Sequence, residues 1–176
     1  MTGGEWATLA AKQAITELIT LYAHAIDRRD EDLLTSLFTA DARLAYGVFE
    51  GTASELIAWR RAHSDAGYRM THHATTNVLI QLDGEAAAAQ SYLNVVHRGE
   101  REGVAYDEHV RARYLDRLLQ IDGRWLFAER TLVFDWSWCV RADDSPWWSG
   151  RPVKRGARGA DDPSARLLGD LRRGLP

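Results

Sequence analysis

The chain has 176 residues, 45% of them hydrophobic and 27% charged, the balance expected of one soluble globular domain with a sizeable core. A formal net charge of -3 and an isoelectric point near 6.1 supply no field that would draw nucleic acid or an acidic membrane surface, and neither is expected as a partner. No apolar run is long enough to span a bilayer, and Met1-Thr2-Gly3-Gly4-Glu5 lacks the basic and apolar regions of a signal peptide, so a cytoplasmic location is expected.

Ile15, Leu18, Ile19, Tyr22 and Ile26 recur at steps of three and four, which predicts an amphipathic helix from about Glu5 to Arg28 with Asp27 at the edge of its buried stripe. After the polar break Arg28-Arg29-Asp30-Glu31, the doublets Leu33-Leu34 and Leu37-Phe38 keep the same spacing and mark a short second helix. Thr52-Ala53-Ser54-Glu55 has the form of a capping box, in which the threonine hydroxyl and the glutamate satisfy otherwise orphaned amide donors. It opens a third helix through Leu56, Ile57 and Trp59. From Met70 to about Trp138 the period becomes that of strands, interrupted by the hairpin signals Asp83-Gly84, Arg98-Gly99 and Asp122-Gly123. The expected fold class is α+β, a cone-shaped curved antiparallel sheet wrapped around N-terminal helices over residues 1–140. Its open end is a natural pocket for a small molecule.

Cys139, the single cysteine, excludes an intrachain disulfide and a cysteine-based metal cluster, and between Trp138 and Val140 it reads as a buried, inert thiol. Residues 141–176 read as a C-terminal tail outside the core, extended or partly ordered over the pocket or a neighbouring subunit. The charge run Lys154-Arg155-Gly156-Ala157-Arg158 carries no interleaved aromatic residue and reads as solvated. Two adjacent indoles, Trp147 and Trp148, are costly in water and are expected to close the pocket or pack on a neighbouring subunit.

The stretch Thr71-His72-His73-Ala74-Thr75-Thr76-Asn77 sets a histidine pair at the mouth of the apolar run Val78-Leu79-Ile80. Histidine is the usual proton carrier near neutral pH. Asp27 is the carboxylate available to hold one imidazole in a single tautomer, which outlines a general-base dyad; the competing reading makes these ordinary half-buried residues at element ends. Successive strand residues point to opposite faces, so only one of His72 and His73 can line the pocket. Tyr22, five residues before Asp27 and roughly 140° away around the helix, reads either as a core aromatic or as a pocket donor. His97 shares a strand face with Ser91, Leu93 and Val95 and can point inward with them. Arg130, on the side of Leu126, Ala128 and Leu132, is a permanent charge among apolar neighbours, to be met by an anionic guest or by an ion pair with Asp27 or Glu129. No His-Glu-x-x-His spacing, Gly-x-Ser-x-Gly elbow, phosphate loop or dinucleotide glycine fingerprint is present, so no metal or other cofactor is expected.

Four stretches resemble the SnoaL-like branch of the nuclear-transport-factor-2-like superfamily over roughly Ala11 to Trp138. They are Tyr22-Ala23-His24-Ala25-Ile26-Asp27-Arg28-Arg29-Asp30, Leu37-Phe38-Thr39-Ala40-Asp41-Ala42, His73-x-x-x-Asn77, and Arg113-Tyr114-Leu115-Asp116 followed by Asp122-Gly123-Arg124-Trp125. The resemblance implies a cone-shaped α+β barrel with a site similar to those of scytalone dehydratase, bile-acid 7-alpha-dehydratase and hexachlorocyclohexane dehydrochlorinase, which remove a proton and a leaving group from adjacent carbons without a cofactor. By that likeness His73 is the base and Asp27 its orienting carboxylate. Tyr22 matches the tyrosine of the bile-acid enzyme, His97 the second pocket histidine of scytalone dehydratase, and Arg130 the arginine of the dehydrochlorinase. Tyr22 stands where the dehydrochlorinase has a lysine, and Tyr114 falls near an asparagine that scytalone dehydratase uses, so neither substrate carries over. The implied activity is a cofactor-independent lyase acting on a hydrophobic ring-containing small molecule, and the implied assembly a homodimer or homotrimer. The alternatives are an isomerase, cyclase or epoxide hydrolase of the same fold, or the non-catalytic small subunit of a ring-hydroxylating dioxygenase.

Overall fold

The computed structural model describes residues 2–63, 67–142 and 150–168. Helix α1 (Gly3–Arg28) opens on a capping box between Thr2 and Glu5 and stops at Arg29, which takes the left-handed conformation with φ 54. Its stripe Ile15, Leu18, Ile19, Tyr22 and Ile26 is buried, and Asp27 is buried beside it. Each large apolar side chain sealed there contributes about 1.5–3 kcal/mol. Helix α2 (Glu31–Ser36) is capped by Asp30, whose carboxylate accepts from the Leu33 N–H. It ends earlier than its leucine doublets predict: Leu37 is the C-cap, and Phe38 begins strand β1 (Phe38–Ala45), where its ring packs 5.3 Å from that of Phe127. The two-residue strand β2 (Glu50–Gly51) precedes helix α3 (Ala53–Ala62), which starts on the expected Thr52–Glu55 capping box.

Four long strands follow, β3 (Tyr68–Asp83), β4 (Ala86–Arg101), β5 (Val104–Ile121) and β6 (Arg124–Arg141). The sheet order is β2-β1-β6-β5-β4-β3, and the sheet is curved but not closed. The four long strands are antiparallel, as expected, and the added strand β1 pairs parallel with β6 and antiparallel with β2. The turn expected at Arg98-Gly99 lies instead at Glu102-Gly103, where both residues have positive φ. Gly99 serves a different purpose: it sits opposite Tyr106, and a Cβ there would lie 2.7 Å from the tyrosine ring.

Helices α1–α3 cover the inner face of the sheet, and the core lies between them. Cross-strand register divides that face into rows. One row is Thr71, His97, Glu108 and Cys139; the next is His73, Val95, Val110 and Ser137. A bulge at Asn77, φ 50, reverses the parity of β3, so Thr71, His73 and Thr75 face inward before it while Ile80 and Leu82 do so after it. Cys139 is exposed, contrary to the buried thiol expected, because its row lies at the open end of the cone.

The tail is less detached than its composition implies. Arg28 Nη1 donates to the Ala157 carbonyl at 2.8 Å and to Asp162 at 3.1 Å, while Arg158 Nη2 donates to the Tyr68 carbonyl at 2.8 Å. These bonds stitch residues 157–162 to the end of α1 and the start of β3, ahead of the short helix α4 (Pro163–Leu168). Arg158 of the charge run is therefore not simply solvated. Trp147 and Trp148 lie outside the described residues. Among the described residues no helix is long and apolar enough to cross a membrane.

Candidate active site

Asp27 is the last residue but one of α1, at the point where that helix meets β3. Thr71 and His73, two apart on one strand, turn their donors to the same side. The Asp27 carboxylate accepts from Thr71 Oγ1 at 2.8 Å, from the His73 backbone N–H at 2.8 Å and from His73 Nδ1 at 2.6 Å. His72, between them, pairs with Val96 and is exposed on the outer face. Strand parity thus puts His73, not His72, with Asp27. Burial pushes the Asp27 carboxyl up, but the hydrogen bonds and charge of His73, with the Thr71 hydroxyl, outweigh it and hold the carboxyl below its usual range. The two side chains are only 7% and 10% exposed, so their attraction is little screened. With the Nδ1 proton committed to an ionised carboxylate, the lone pair of neutral His73 is at Nε2.

His97 faces inward from β4 and stands edge-on to His73, ring centroids 5.8 Å apart. Its other face stacks on Tyr68 at 4.5 Å. Burial and the neighbouring His73 push its pKa down to about 4 against the opposing pull of Glu108, so the ring is neutral at pH 7. The Tyr68 hydroxyl donates to Glu108 Oε2 at 2.6 Å, and burial with that carboxylate pushes the phenol well above its usual range. Tyr68 and Glu108 are site neighbours that sequence reasoning passed over. The signal for Glu108 was its parity: an acidic residue at an inner-face position of β5.

Tyr22 and Arg130 belong to a second cluster, deeper in the cone. Arg130 Nε and Nη2 donate to the two oxygens of Asp116 at 2.7 and 2.8 Å, and neither side chain is exposed. Its Cζ lies 4.1 Å from the Tyr22 ring centroid, 4.2 Å from Tyr114 and 3.9 Å from Phe127. This corrects the expected partners. Asp27 is engaged elsewhere, and Glu129 is on the outer side near Arg117, because a bulge between Arg117 and Leu118 brings Arg130 opposite Asp116. Tyr22 shares a hydrogen bond of 2.8 Å with the hydroxyl of Tyr46. Burial pushes Tyr46 and Tyr114 well above the ordinary phenol range, with the Arg130 charge pulling the other way. Both of these phenols stay protonated at neutral pH.

The five candidates therefore fall into two groups, Asp27, His73 and His97 in one and Tyr22 with Arg130 in the other. Val110, in the His73 row, and Tyr114 are four residues apart on β5, which separates the groups by about 13 Å along the strand. Among the described residues no three His, Cys, Asp or Glu side chains converge as a metal-ligand set.

Residues 7–131 match the SnoaL-like domain family. Among solved structures the chain is similar to a scytalone dehydratase candidate from Novosphingobium aromaticivorans DSM 12444, at 22% identity over 85% of this chain and 97% of that one, with a TM-score of 0.66. It is also similar to the hexachlorocyclohexane dehydrochlorinase LinA-type3 from Novosphingobium barchaimii LL02, at 17% identity over 77% and 94% of the two chains and a TM-score of 0.68. A protein of unknown function from Mycobacterium tuberculosis matches at 23% identity over 98% and 93%, with a TM-score of 0.64. At such identities the likeness establishes the nuclear-transport-factor-2-like fold. No curated protein matches the sequence.

Proposed function

The chain belongs to the SnoaL-like domain family, and from that premise we propose that it is a cofactor-independent lyase acting on a hydrophobic ring-containing small molecule. The observation that supports this reading most is the Asp27 carboxylate closed around the Nδ1 side of His73. Nε2 of neutral His73 takes a proton from a substrate carbon, the C–H electron pair becomes the new carbon–carbon double bond, and the leaving group departs from the adjacent carbon with its own pair. The imidazolium that forms is stabilised by Asp27, and it returns its proton to the departing oxygen or to solvent. The Tyr22 hydroxyl donates to a substrate oxygen as charge shifts onto it, and His97 contacts a substrate hydroxyl. Arg130, saturated by Asp116 on two of its donors, is a positioning residue that acts through the phenols packed on it.

The outer face of the sheet leaves Leu79, Tyr92, Leu115, Trp136 and Trp138 exposed, which favours a homo-oligomer with that face buried. A thermal-shift screen of ring alcohols, ketones and halides identifies ligands, and product analysis of each identifies the reaction. Asp27→Ala, His73→Ala and the double variant should lose similar, non-additive amounts of activity. A substrate deuterated at the abstracted position should react more slowly, and chelator treatment should leave the rate unchanged. Additive losses, or activity lost on chelation and restored by a divalent metal, would overturn the mechanism. A product isomeric with the substrate would move the protein to the isomerases.

A further inference from the structure

His97 has a neighbour that the His73–Asp27 chemistry does not use. Glu108 lies directly across from it on β5, its side chain about as sheltered as that of His97, at 22% and 21% exposure. One of its oxygens, Oε2, accepts the Tyr68 hydroxyl at 2.6 Å and lies 3.7 Å from His97 Nδ1. Nδ1 is buried and makes no hydrogen bond, so its electrostatic surroundings decide what it carries. A lone pair aimed at an ionised carboxylate oxygen is repelled by it, whereas an N–H aimed there is attracted, and among the described residues no other donor or acceptor bonds that nitrogen. The Tyr68 ring, stacked on the imidazole, keeps the carboxylate and the histidine in register from the far side.

We propose that Glu108, anchored by the Tyr68 hydroxyl, is a positioning residue that fixes His97 as its Nδ1–H tautomer. His97 then presents an Nε2 lone pair, and the site selects substrates that offer a hydroxyl there, beside the carbon whose proton His73 removes. The inference rests on the lyase reading for the last clause only. In this arrangement the inner face of the sheet carries two imidazoles of the same polarity, each with its Nδ1 side turned to a carboxylate. A ring alcohol or phenol donates to His97 Nε2, whereas a ketone or ether oxygen meets a lone pair and is disfavoured.

Nitrogen-15 shifts of the His97 imidazole at neutral pH test this directly. The wild type should show a protonated Nδ1 and a bare Nε2. Glu108→Leu should shift the proton toward Nε2, because nothing aimed at Nδ1 then attracts it while Nε2 opens to the pocket and its solvent. Tyr68→Phe, which keeps the carboxylate, should retain Nδ1–H. By calorimetry 2-naphthol should bind the wild type about tenfold more tightly than 2-methoxynaphthalene, one hydrogen bond's worth, and the gap should close in Glu108→Leu. A wild-type His97 protonated at Nε2, or a Glu108→Leu protein that keeps Nδ1–H, would overturn the assignment. Equal affinity for the two probes, or no binding of either, would overturn the selection for a hydroxyl. Failure of the lyase reading is distinguishable, since an active His73→Gln protein would overturn that reading while its His97 kept the proton on Nδ1.

Discussion

The Arg130–Asp116 pair decides whether the arginine is part of the scaffold or is held ready for a substrate, and a double-mutant cycle on stability separates the two. Both side chains are fully buried, two donors of the guanidinium are spent on one carboxylate, and three aromatic rings lie within 4.2 Å of its Cζ. Asp116→Leu strands a buried cation, and Arg130→Met strands a buried carboxylate; each should cost about 3–5 kcal/mol. The double variant removes both desolvated charges and fills the space with apolar groups, which is close to neutral by the same argument. It also gives up the cation–π contacts, worth about 1–2 kcal/mol where desolvated. The expected coupling is therefore about 3 kcal/mol or more in favour of the pair, read from urea midpoints with unchanged slopes. Typical domain stability of about 5–15 kcal/mol leaves the single variants measurable in the cold. Losses below about 1 kcal/mol for each single variant, or simple additivity, would show that the pair is not desolvated and that Arg130 is available to meet an anionic group.

Four further outcomes follow from the geometry. His72→Gln should keep most activity while His73→Gln loses about a hundredfold or more, measured as kcat/KM; the reverse would put the wrong histidine on the inner face. His97 titrates near 4 in the folded chain and near 6.5 unfolded, so between those values the unfolded chain binds the extra proton. Its neutral form contributes stability that is fully present above about pH 6.5 and lost as pH falls to about 4, up to about 3 kcal/mol; the stability gap between wild type and His97→Gln should narrow by that amount on acidification. Asp162→Ala, which removes the partner of Arg28, the Ala157 N–H and Ser164, should release residues 157–164 and speed trypsin cleavage after Arg158. Trp136→Glu should lower the molar mass seen by light scattering if the outer sheet face is an interface between copies.

What was legible in the sequence is what local chemistry determines. Helix α3 begins on the Thr52–Glu55 box read in the sequence, because a capping box needs only four consecutive positions, whereas the same pattern at Thr2–Glu5 went unread and opens α1 ahead of the start expected from apolar spacing. Strand parity required that only one of His72 and His73 face inward, and the likeness to the SnoaL-like sites, not parity, favoured His73. Other features depend on residues far apart in the chain. Gly99 looks like a turn residue until Tyr106 is placed across from it. The short β1 alternates through Asp41 and Arg43, too briefly to stand out from a loop, and is recognisable only beside β6. The partner of Arg130 is set by a bulge in the β5–β6 pairing, which no spacing within either strand reveals. Cys139 lies between two outward-facing apolar residues, so its exposure depends on where the helices stop covering the inner face.

The position of Asp27 explains why the proposed base and the architecture are hard to separate. A carboxylate in the last turn of a helix faces the negative end of the macrodipole, which disfavours its charge and is felt more strongly when the group is buried. Three donors offset that penalty, and all of them come from two residues of β3. The same bonds that orient the His73 ring therefore also hold the end of α1 against β3, so a slip of the strand by one residue would lose the ring and the backbone donor together. Deleting the carboxylate removes an orienting group and an element contact at once. Asp27→Asn is the more informative change, because the amide keeps the shape and one acceptor while removing the charge. Loss of activity in a chain that unfolds at the wild-type urea midpoint would assign the charge to chemistry rather than to packing.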